Sequence, residues 1–150
     1  MNAAYTHLLL NHFPLILNVA AFVVILAGLV WRSEPVTRAA LLLVVLAALL
    51  TIPTFVTGDD AASIVKGMQG VDASAIRPHN DAAGYALTVI LIEGAAALAS
   101  LVVFRGGRLI PRWAIATMLV LIVIGSAAAG RTSFLGGKIH HPEGSSSQPH

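Results

Sequence analysis

The 150-residue chain contains no cysteine. That absence excludes disulfides, thiolate metal sites, iron–sulfur clusters and thioether-attached haem. Charge is scarce as well: Asp, Glu, Lys and Arg make up 11% of the residues, against about 25% in ordinary soluble domains. With 57% of the residues hydrophobic, a water-soluble globule is excluded. A formal net charge of +2 is too small, and its arginines too scattered, to suggest nucleic-acid binding. There is no phosphate-binding glycine loop, dinucleotide fingerprint or nucleophile–base motif, so a hydrolase or kinase has no support.

What the chain does have is long apolar runs. Four stretches, residues 1–31, 39–58, 82–104 and 113–130, lack charge, with Glu93 as the one interruption. Crossing a bilayer takes about 20 apolar residues. None of the four alternates with period 2 as barrel strands do, and a backbone in lipid must satisfy its own hydrogen bonds. The sequence therefore predicts an all-α bundle of four transmembrane helices, forming a single domain over residues 1–142. Residues 143–150 read as a disordered tail.

Orientation follows from the short connections. Arg32, Arg38, Arg105, Arg108 and Arg112 crowd into two turns with one acid, Glu34. The positive-inside rule puts these turns in the cytoplasm. Both termini and the long loop 59–81 then face outward, toward the periplasm of a bacterium, and the protein belongs in the inner (plasma) membrane. The N-terminus has no basic region before its apolar run, so the first span reads as retained rather than as a signal peptide. In the long loop, residues 61–67 suggest a short amphipathic turn. Asp72 or Ser74 suits an N-cap, so the third helix begins before the membrane with Pro78 in its early turns. The first helix likewise extends outward, to near Ala3. Pro14 and Pro53 are expected to kink their helices.

The six histidines are the only obvious soft ligands. His7, His12, His79, His140, His141 and His150 all fall on the expected outer side, so three separate segments bring imidazole to one end of the bundle. Bundle cofactor sites are built from side chains on facing helices. His7 and His12 lie five apart, about 140° around a helix, and cannot reach one atom without unwinding. A thiolate-free imidazole site suits haem, copper, zinc or non-haem iron. Haem b is favoured by small residues that let a macrocycle approach: Ala82, Ala83 and Gly84, then Gly125, Ser126 and residues 127–130. Arg77, Arg131 and Lys138 could hold its propionates. Tight helix packing explains the same small residues equally well.

Glu93 lies near the middle of the third span. A carboxyl there marks function or an internal partner: a proton-handling group, a quinone contact, or a hydrogen bond to Thr51, Thr54, Thr88 or Ser100. Asn11 and Asn18 share a helix face with His7, and this stripe should face the bundle. Asp59 and Asp60 could support imidazole N–H groups or form a solvated helix end.

The run His7-Leu8-Leu9-Leu10-Asn11-His12-Phe13-Pro14 resembles the H-x-x-x-N-H-x-P opening of a poorly characterised group of bacterial four-helix membrane proteins. The Thr57-Gly58-Asp59 turn, the stretch from Val71 to Ala83, and the ending Gly136-Gly137-Lys138-Ile139-His140-His141-Pro142-Glu143 are similar to theirs, the last to G-G-x-I-x-H-P-E. Pro78 departs from that pattern where a helix former is expected. The resemblance spans nearly the whole chain. It implies the four-helix architecture and a polar signature of His7, His12, His79 and His141, but no established activity.

These features converge on a b-type cytochrome-like electron carrier or complex subunit rather than a stand-alone enzyme. Two or four of His7, His12, His79 and His141 would ligate haem, and a membrane quinone and a periplasmic redox protein would be its partners. The alternatives are a non-haem copper or zinc site and a non-catalytic subunit, oligomeric or bound to another chain.

Overall fold

The computed structural model describes residues 3–66, 68 and 70–140. The elements in chain order are α1 (Ala3–Leu10), α2 (Phe13–Val30), α3 (Glu34–Val65), α4 (Ala73–Val103) and α5 (Arg112–His140). α1 and α2 together form one span, and α3, α4 and α5 the other three. All four are long and apolar enough to cross a membrane. The protein is thus an all-helical, multi-pass membrane protein.

The first span is broken at Asn11–His12. Pro14 sits in the first turn of α2, where its missing N–H costs least and its ring opposes continuation from Leu10. In α3, Pro53 lies inside an unbroken helix. Thr54 Oγ1 donates to the Leu50 carbonyl (2.7 Å) and Thr57 Oγ1 to the Pro53 carbonyl (2.7 Å) beside it.

Two expected boundaries are corrected. The second helix does not end at Gly58, and residues 61–65 are no separate turn: α3 continues through Thr57-Gly58-Asp59-Asp60 to Val65. Gly136-Gly137 likewise does not interrupt the last helix, which runs to His140. An isolated glycine costs a helix only about 1 kcal/mol, and packing against neighbouring helices outweighs that. The expected cap is present at α4. Asp72 accepts from the Ser74 N–H (2.9 Å) and hydroxyl (2.6 Å), and these two bonds hold its carboxyl below the usual range. The Asp72 N–H donates to the Ile139 carbonyl (3.0 Å), tying the start of α4 to the end of α5.

The core runs along the bundle axis. Ala21, Ile25, Val44, Ala97, Met118 and Ile122 fill the half toward the arginine-rich turns, and Ala48, Ile90 and Ala129 the half toward the termini. Leu8, Ile16, Val23, Leu49, Ile92 and Val120 point outward, exposed. An apolar exterior is what lipid requires. Trp31 and Trp113 stand exposed at the arginine-rich end, where interfacial indoles are enriched.

Arg38 organises that end. Its Nη2 donates to the carbonyls of Phe104 (2.5 Å) and Arg108 (2.7 Å) and pairs with Glu34 (2.9 Å). Glu34 also accepts the Ile110 N–H (3.2 Å). One guanidinium thus closes the 104–111 turn against the start of α3. Hydrogen bonds to charged groups contribute about 1.5–3 kcal/mol. Arg38→Ala should therefore lower the melting temperature and speed amide hydrogen exchange across residues 104–111. Unchanged exchange there would contradict this role.

Candidate functional site

His7 and His79 are held in matching settings. His7, on α1, turns toward α3: its Nδ1 donates to the Thr54 carbonyl (2.9 Å), with Thr57 Oγ1 at 3.5 Å. Its Cε1 lies 3.2 Å from where a Cβ on Gly58 would stand. His79, on α4, turns toward α5 in the same way. Its Nδ1 donates to the Thr132 carbonyl (3.0 Å), and its Cε1 is 3.2 Å from a would-be Cβ on Gly136. In both cases a Thr precedes the Gly by one helical turn, so one helix supplies both the carbonyl and the gap that admits the ring.

The helical hairpins α1–α3 and α4–α5 therefore repeat one device. The buried positions recur in the same phase: Val44 with Ile122, Thr51 with Ala129, Ile25 with Ala97, Ala21 with Glu93. The four buried pairs differ in residue type, so their identities alone did not advertise this. The signal lay in the spacing of Thr54-x-x-x-Gly58 and Thr132-x-x-x-Gly136.

A carbonyl accepts but cannot donate, so Nδ1 carries the hydrogen in each ring. When such a ring is neutral, its Nε2 lone pair is free. This arrangement, with the remote N–H on a backbone carbonyl, is the usual support of a metal-ligating histidine.

The other expected site residues fall differently. His12 is exposed at the helix break. His141 and His150 lie outside the described residues, as does the expected disordered tail. Arg77, Arg131 and Lys138 are exposed at the same end as His7 and His79, and the Lys138 ammonium sits 4.8 Å over the Phe134 ring. Among the described residues, no group of three or more His, Asp or Glu is placed to hold a metal ion. Of the small residues, Gly84 and Gly130 face open space, whereas Gly125 is filled by the Glu93 carboxyl.

Glu93 is fully buried, and its partner is Asn18 on α2, whose Nδ2 donates to Oε2 (2.9 Å). This corrects the expected hydroxyl partners. Thr51, Thr54, Thr88 and Ser100 donate to carbonyls one turn back in their own helices, at Ala47, Leu50, Gly84 and Ala96. Such back-bonding is the ordinary resort of hydroxyls within a helix. The Asn11–Asn18 stripe faces inward, with Asn18 wholly enclosed.

The fold and these paired imidazoles define a four-span membrane protein with two equivalently tethered histidines at one end. No family model matches the chain, and no curated protein or solved structure is significantly similar to it.

Proposed function

We propose that the protein is a b-type cytochrome-like electron carrier in which His7 and His79 ligate one haem iron. The observation that carries this reading is the matched tethering of the two rings, which leaves Nε2 available on both. Two imidazoles are the number a haem iron asks of a protein, since the tetrapyrrole supplies the other four nitrogens. Zinc takes three or four protein ligands. When bound, haem would supply a one-electron couple.

The chain's own residues would do the rest. The Thr54 and Thr132 carbonyls fix the tautomer and raise ligand basicity. Arg77, Arg131 and Lys138 are exposed cations suited to propionates. The arginine-rich turns favour a cytoplasmic location, which would place the histidines at the outer face of a bacterial inner membrane, between a membrane quinol and an external redox protein. The resemblance of the opening and closing motifs to small bacterial four-helix membrane proteins agrees with this placement.

The test is an optical spectrum of the purified protein before and after dithionite. A Soret band that shifts on reduction is expected. A colourless protein with stoichiometric copper or zinc would replace haem by another metal. A preparation with neither, co-purifying with other chains, would make it a structural subunit.

A further inference from the structure

Glu93 is buried where α2, α4 and α5 meet, and α3 approaches beside it through Ala48 at Gly94. The groups facing it are the Asn18 amide from α2 and the Gly125 backbone from α5. Among the described residues no charged or titratable side chain is paired with it. The Asn18 N–H satisfies Oε2, but Glu93 Oε1 and Asn18 Oδ1 are buried with no partner. Were the carboxyl ionised, both orphans would be acceptors, with no donor and no cation to offset their loss of water.

A single hydrogen on Oε1 answers both needs. It removes the charge and turns Oε1 into a donor, the group that Asn18 Oδ1 lacks on the side chain already bonded to this carboxyl. Space distinguishes a proton from a bulkier ligand. The Gly125 backbone lies so close to Oε1 that even a methyl group on that glycine would overlap the carboxyl. We infer that Glu93 and Asn18 form a proton-binding site at the centre of the bundle, the proton held on Glu93 Oε1 and shared with the Asn18 carbonyl oxygen. Only an O–H bond forms on loading and breaks on release, and the proton comes from and returns to water. This site stands apart from the imidazole pair and does not depend on it.

The test is infrared difference spectroscopy of the full chain in phosphatidylcholine vesicles, titrated with pH in light and heavy water. A protonated-carboxyl band that shifts in heavy water is expected in the wild type. It should be missing from Glu93→Gln, whose amide N–H replaces the O–H in shape and donor capacity, and displaced in Asn18→Leu. If no band distinguishes wild type from a folded Glu93→Gln at any pH, the inference falls. If Glu93→Gln does not fold, Asn18→Leu decides: a displaced band supports the shared proton and an unmoved one overturns it. A band that emerges only when sodium is replaced by choline would assign the site to a cation instead.

Discussion

His7→Ala and His79→Ala are each expected to abolish or displace the Soret band, with effects of equal size. The equality follows from the structure, because each ring is anchored by one carbonyl and one glycine in equivalent hairpins. Removing either would leave the proposed haem iron with one protein ligand. The double variant should lose little more than either single variant, since residues that act as a unit are not additive. His12→Ala, which alters an exposed side chain at the helix break, should leave the band in place. A spectrum unchanged in His79→Ala would remove that residue from the ligand set and with it the paired site. Loss in His12→Ala alone would move the site to the break in the first span.

Gly94→Ala should be among the most damaging substitutions of a single methyl group in the bundle. A Cβ at Gly94 would overlap the Ala48 Cβ, and carbon atoms repel well inside about 3.5 Å. Neither side chain has a rotamer to escape into, so α3 and α4 must move apart. Overpacking of this kind typically costs about 1–3 kcal/mol. The melting temperature in detergent should fall clearly, and Ala48→Gly in the same chain should restore most of it. Gly84→Ala is the internal control: nothing lies within 4 Å of its would-be Cβ, and alanine is the better helix former, so it should melt no lower than the wild type. A Gly94→Ala protein as stable as Gly84→Ala would show that the α3–α4 contact is looser than the geometry indicates.

How far the chain could be read differs from feature to feature. That a cap lay at Asp72 or Ser74 was visible, because a short polar side chain at a helix start satisfies orphan N–H groups locally; the structure chose Asp72. The extension of α3 past Gly58 was not, since Thr-Gly-Asp-Asp carries every local mark of a turn and only tertiary packing overrides it. That His7 and Asn18 point into the bundle was legible from their shared helix face. That Asn18 meets Glu93, and that the four hydroxyls bond their own helices instead, required knowing how the spans are rotated against one another.

The four spans themselves were determined by the amino-acid sequence alone. Lipid offers no hydrogen bonds, so a charge-free run of sufficient length has one backbone solution, the helix. Which imidazole nitrogen stays free, which glycine admits a ring and which a carboxyl, and what shares the centre with Glu93 were decided by tertiary structure. Those outcomes depend on helix rotation and axial offset. They are set by contacts between residues far apart in the chain, which no local pattern encodes.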